Sequence, residues 1–154
     1  RRLWTAEQRL AGYREAFAAA GRDPDRLPVL EGDYHLSSGS ELAARALAGP
    51  PEDRPTALLC ANDLMAIGAL EYCKLVGLRV PDDVSVAGFD DLPFASLLTP
   101  RLTTVRQPAN DMGQCAANLL FQLLDGKADA APGERFPVTV QVRDSVAAPP
   151  EGTP

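Results

Sequence analysis

Asn62 and Asp90 are the side chains best placed to do chemistry in this sequence. Leu58-Leu59-Cys60-Ala61 leads into Asn62-Asp63, and Val84 to Ala87 leads through Gly88-Phe89 into Asp90-Asp91. Short apolar runs of this kind read as buried parallel strands, and ligands of open α/β sheets bind beyond the carboxyl ends of such strands. A carboxylate beside a carboxamide supplies the acceptors and donors that match adjacent sugar hydroxyls or the polar edge of a base. Tyr34, at another strand-to-helix turn, offers a flat apolar face for stacking. Arg9, on the first turn of an opening helix, offers a forked donor to the same crevice. From spacing alone, Asn62 or Asp63 equally suits the N-cap of the helix that follows.

Other chemistries are excluded by what the sequence lacks. Its single histidine, His35, gives no pair of metal ligands and reads as a loop residue. No Gly-x-Ser-x-Gly elbow and neither phosphate-binding glycine pattern occurs. Asp82-Asp83, beside Pro81, reads as a solvated turn. Cys60, Cys73 and Cys115 are an odd number without Cys-x-x-Cys spacing, which suits buried free thiols in a reducing compartment. The expectation is a binding protein, not an enzyme, with no cofactor and no metal.

The net charge of -6 gives an acidic surface that repels phosphates, so these residues are not expected to hold DNA. No apolar run approaches the roughly 18 residues of a membrane span. Arg1-Arg2-Leu3-Trp4 carries no export signal, and the missing initiator Met fits a start inside a longer gene product. At 154 residues the default is one compact unit.

The elements that must position these side chains follow from periodicity and punctuation. Thr5-Ala6-Glu7-Gln8 fits a capping box, with a helix over 6–20 ended by Gly21. Pro28 to Glu31 is a strand candidate. Ser38-Gly39-Ser40-Glu41 fits a second capping box, opening a helix over 39–48. The helix predicted over 64–76 carries only Glu71 and Lys74 as charges, so it must be covered on more than one side, and Leu64, Ile67 and Leu70 on its outer face read as a subunit contact. A strand over 102–106 is closed by Gln107-Pro108, and Asn110 or Asp111 suits the cap of a helix that ends at Gly126. Residues 127–135 read as a loop, 136–142 as a strand with one wet face, and the tail from Ala147 as disordered. A strand normally precedes a helix such as the first one, yet only five residues stand before it.

At these residues the sequence resembles the lactose-repressor (LacI/GalR) family of transcriptional regulators. The matching stretches are Arg9-Leu10-Ala11-Gly12-Tyr13, Gly32-Asp33-Tyr34, Ala61-Asn62-Asp63 with Ala66 and Gly68, the run from Gly77 to Val86, Gly88-Phe89-Asp90-Asp91, and Leu102 to Pro108 with Met112-Gly113. They cover about residues 5–146 in order. The resemblance implies a three-layer α/β fold with a mostly parallel sheet, like that of type I periplasmic binding proteins. It places 1–101 in a C-terminal effector-binding subdomain whose first strand is missing, 102–130 in a crossover belonging to the N-terminal subdomain, 131–146 in a return, and 147–154 in a tail. It implies effector contacts from Arg9, Tyr34, Asn62 and Asp90, and a homodimer contact from the helix over 64–76. A small-molecule effector, most readily a sugar, and operator DNA reached only through an N-terminal helix-turn-helix absent from this chain are the implied partners, in the cytoplasm and without a membrane. An exported solute-binding protein of an ABC transporter shares this core architecture, and a signal peptide upstream in place of a helix-turn-helix would mark it.

Overall fold

Helices and strands are interleaved along the chain, with two helices first and two strands in succession at its middle: α1 (Trp4–Ala19), α2 (Leu36–Ala46), β1 (Ala57–Leu59), α3 (Asp63–Val76), β2 (Ser85–Ala87), β3 (Thr104–Arg106), α4 (Ala109–Leu124) and β4 (Thr139–Gln141). Single 3-10 turns at Pro24–Arg26, Pro51–Asp53 and Pro93–Ser96 each begin on a proline, whose fixed φ suits a first helical position. The computed structural model describes residues 3–126 and 133–149. Among them no helix is long and apolar enough to cross a membrane.

β1 and β2 pair in parallel, with Ala57 opposite Ser85 and Leu59 opposite Ala87. Isolated parallel bridges, Ala87 to Thr103 and Asp90 to Arg106, attach the β3 segment to the other edge of β2, and β4 then pairs antiparallel with β3. The arrangement is the expected mostly parallel α/β sheet with its last strand reversed. The core lies where α2 and α3 meet it: Ala43, Ala66, Ala69, Val86, Ala95 and Leu102 form one buried cluster, and Leu47, Cys73 and Val84 another.

α3 is the helix that needed more than one cover, and α2 supplies one. The two helices approach so closely that a Cβ built on Gly68 would stand 2.0 Å from the Leu36 carbonyl oxygen, and one on Gly39 2.1 Å from that of Met65. Gly77, at φ 78, ends α3 in the left-handed conformation that glycine adopts without strain.

Several local expectations are corrected. Neither capping box forms. α1 starts at Trp4, with Leu3 as N-cap and no side-chain bond, because the Leu3 carbonyl already accepts from Ala6 and Glu7; Arg9 therefore sits in the second turn. α2 starts at Leu36, and Ser38 Oγ instead accepts from the Asp33 amide while Asp33 Oδ1 accepts from that of His35. α4 is preceded by Pro108, with no cap from Asn110 or Asp111. Pro28 to Glu31 forms no ladder, because a strand exists only beside a partner and none of the described strands pairs with it. β1 is correspondingly open on one edge. Ser85 N–H donates to Thr56 and Cys60 N–H to Ala87, which turns Leu58 toward β2 and leaves the polar groups of Leu59 facing away.

The return segment is tied firmly. Ser145, fully buried, donates to the Val86 carbonyl and accepts from the Thr103 amide, and Ala147 N–H donates to Ser85 Oγ, so the residue at which the disordered tail was expected to begin is hydrogen-bonded. Positions 127–132 of the expected loop and 150–154 of the tail lie outside the described residues. Cys73 is buried as expected, and burial pushes the Cys60 thiol up to about 12. Cys115 is only half-buried, because α4 buries none of its residues; its Sγ donates to Glu134 Oε2 at 2.8 Å.

Candidate functional site

The carboxyl ends of β1 and β2 are locked together by a bond from the Asp63 amide to the Phe89 carbonyl. Above that junction Arg9 reaches in from α1. Its guanidinium donates to the Ala61 carbonyl, lies 3.8 Å from the centroid of the Phe89 ring and stands 4.0 Å from Asp90 Oδ1, at the outer limit of an ion pair. Arg9 and Asp90 are thus brought to one crevice, as the sequence predicts. Both side chains keep part of their surface open.

Asp90 is held in an unusual backbone shape. Its φ is 119 and that of Asp91 is 56, two consecutive non-glycine residues in a region that costs of order 1–3 kcal/mol each. The Asp90 amide donates to the Val105 carbonyl, and Oδ1 accepts from Gln107 Nε2 at 2.8 Å. Burial pushes the Asp90 carboxyl above the usual carboxylate range; Arg9 opposes this, Asp63 adds to it and Gln107 opposes it. Oδ1 takes both protein contacts, so among the described residues Oδ2 remains the oxygen able to receive a ligand hydroxyl.

Asn62 takes up the capping role, one of the two the sequence left open, and spends half of its side-chain hydrogen-bonding capacity within the fold. Oδ1 caps α3 by accepting from the Met65 amide at 2.9 Å, and Nδ2 donates to the Tyr34 carbonyl at 3.0 Å. Only 7% of the residue is exposed. Its remaining capacity is one amide hydrogen and one lone pair. Tyr34 itself has a φ of 70, and its hydroxyl is buried without a hydrogen-bond partner among the described residues. The Tyr34 backbone is therefore joined to the crevice through Asn62.

Asp63 lies beneath this layer and is fully buried. Its carboxylate accepts from Thr104 Oγ1 at 2.5 Å and from the Leu92 amide at 2.8 Å, which ties the ends of β1, β2 and β3. Gly88 has to be glycine here, since a Cβ would stand 2.3 Å from Asp63 Oδ1. Burial pushes the Asp63 carboxyl up, against the bonds from Thr104 and Leu92. Sequence reasoning gave no site role to Phe89 or Gln107. Gln107 lies next to Asp90 only after the β3 segment has docked on β2, and Phe89 meets Arg9 only once α1 is in place; nothing in the local pattern announces either.

Leu64, Ile67 and Leu70, the expected dimer contacts, are each half-buried within the single chain. Leu70 packs on the core and lines a shallow pocket of about 280 Å³ with Cys73, Leu78, Val80 and Pro100. Leu75 on the same helix and Leu97 in the loop before Leu102 are far more exposed, at 82% and 81%.

Comparison with known proteins fits this geometry. The profile of the periplasmic binding protein-like domain matches residues 1–146. The transcriptional repressor PurR of Photobacterium profundum is 37% identical over 123 residues, which is 80% of this chain and 36% of that protein. A LacI-family regulator from Enterococcus faecium, solved with bound ribose, superposes with a TM-score of 0.83 at 26% identity over 92% of this chain and 51% of its own. A dimeric Lac repressor with a C-terminal deletion superposes with a TM-score of 0.83 at 35% identity, over 95% of this chain and 52% of that one. The chain spans little more than a third of the length of that curated relative and about half of the two solved chains. With its crevice, its parallel βαβ centre and these matches taken together, the chain belongs to the LacI/GalR family, of whose periplasmic-binding-protein-like domain it forms a part.

Proposed function

We propose that this chain is the effector-binding and dimerising part of a cytoplasmic, DNA-binding transcriptional repressor that senses a small metabolite, most readily a sugar. The observation that carries the reading is the convergence of Arg9 and Asp90 beyond the carboxyl ends of β1 and β2, each with part of its side chain open. A cation and an anion so placed can donate to and accept from neighbouring hydroxyls of one sugar ring, while Asn62 adds a single amide hydrogen and Tyr34 borders the site. The relatives that match are named as repressors, which favours a regulator over an exported solute-binding protein or an enzyme. Residues 1–101 and 131–146 form one side of the effector cleft in this reading, and 102–130 cross to the other. Effector that prefers one closure state shifts the population, and a dimer formed through Leu64, Ile67, Leu70 and their surroundings passes the shift to DNA-binding heads.

Calorimetric titration of the full-length protein with ribose, other pentoses, hexoses and disaccharides tests this. One of these sugars should bind without turnover, and Asp90→Ala should weaken it at least about tenfold, since a hydrogen bond to a charged group is worth about 1.5–3 kcal/mol. Binding that Asp90→Ala leaves unchanged would remove Asp90 from the site and with it the reading.

A further inference from the structure

Next to Asp90, whose carboxylate opens on the crevice, Asp91 points the other way. Only 5% of its side chain is exposed. Oδ1 accepts from Arg143 Nη2 at 2.6 Å and Oδ2 from Arg106 Nε at 2.5 Å. Arg106 is the last residue of β3, and Arg143 follows β4, so one carboxylate joins the turn after β2 to both strands of the antiparallel pair. Arg143 is itself fixed, donating from Nη1 to the Leu102 carbonyl and from its amide to Thr103 Oγ1. Burial alone would raise the Asp91 carboxyl, but the bonds from Arg143 and then Arg106 outweigh it and hold the group below the usual carboxylate range, so it is an anion at neutral pH.

We propose that Asp91 is a positioning residue: through Arg106 and Arg143 it bolts the left-handed turn that aims Asp90 to β3 and to the segment after β4, so that a shift of those strands changes where the Asp90 carboxylate points. The proposal deepens the effector-site reading and rests on it. Two consecutive positive φ values are held from outside the turn, by the Val105 carbonyl on the Asp90 amide and by the two arginines on Asp91. The same strands lead to Gln107, which contacts Asp90 Oδ1, and into α4, so the effector carboxylate and the crossing segment share one set of bonds.

Hydrogen exchange by mass spectrometry on the full-length protein, without any sugar, tests the link. In Asp91→Asn, peptides covering 88–92 should exchange at least about tenfold faster while peptides of α3 keep their wild-type rates, since local opening is separable from global unfolding. Arg106→Gln, at a side chain 55% exposed and outside the buried core, should loosen the same 88–92 peptides although it lies outside them. Arg106→Lys should restore them in part. Equal acceleration everywhere, or none at 88–92 in Arg106→Gln, would reduce Asp91 to a general stabilising contact and overturn the proposal. Failure of Asp90→Ala to change sugar binding would instead strike the effector reading and leave the exchange result standing.

Discussion

At the scale of the residue, the effector role proposed for Asp90 and the needs of the fold pull apart. A carboxyl whose folded pKa is raised helps the fold only below its unfolded value of about 3.9, and that help is lost as pH rises through the folded value. Burial raises Asp90, so at neutral pH its ionised form costs stability. Its φ of 119 adds to the cost, and asparagine tolerates positive φ better than most residues. Asp90→Asn should therefore leave the urea midpoint at pH 7 unchanged or higher, while weakening the sugar that titrates the wild type at least about tenfold. A lower midpoint would show that Asp90 serves the fold. The same cause sets the pH dependence: sugar affinity should begin to fall, on acidification, at a pH above the usual carboxylate range. The position of Asp90 was legible in the sequence because a strand end announces itself, whereas Arg9 lies on α1 and only the fold brings it to within 4.0 Å of Asp90. Asn62 was legible only as a choice between cap and ligand, and the structure commits half of its hydrogen-bonding capacity, the capping oxygen included. Gln107 and Asp91 were not legible in their roles, since each depends on which distant segment docks beside β2.

At the scale of the element, the contact between α2 and α3 is the one that sequence periodicity least prepares for. The pattern of α3 called for a cover on more than one side without naming it, and the cover turns out to depend on Gly39 and Gly68, residues that lower helix propensity. Gly68→Ala gains up to about 1 kcal/mol of propensity but drives a methyl into the Leu36 carbonyl, and overpacking costs about 1–3 kcal/mol or more. The net should be a lower urea midpoint. Gly12→Ala in α1, where a Cβ would meet nothing within 4 Å, isolates the propensity gain and should raise the midpoint. If both substitutions move the midpoint the same way, close helix approach is not what Gly68 is for. The capping box before α2 failed for a related reason: Ser38 and Asp33 found each other across the turn, and local spacing does not distinguish that pairing from a cap.

At the scale of the whole molecule, among the apolar faces that the described residues leave uncovered, two call for different partners. One surrounds the outer side of α3, where Leu75 and Leu97 stand exposed beside the pocket at Leu70. The other lies on α4, where Leu120, Phe121 and Leu124 are exposed and no residue is buried. In the proposed division of the chain, α4 belongs to the crossing segment, so its cover is another part of the same protomer, whereas the α3 face is left for a second copy. A single unpaired charge placed in a dry contact costs several kcal/mol, so Leu97→Glu should weaken the dimer of the full-length protein at least about a hundredfold in sedimentation equilibrium. Because Leu97 is 81% exposed in the protomer, that variant should keep the wild-type fold by circular dichroism. Phe121→Glu should do the reverse, lowering the unfolding midpoint while the mass stays that of a dimer. A dimer that survives Leu97→Glu and Ile67→Glu but is lost in Phe121→Glu would exchange the two assignments, placing the subunit contact on α4 and the covered face on α3.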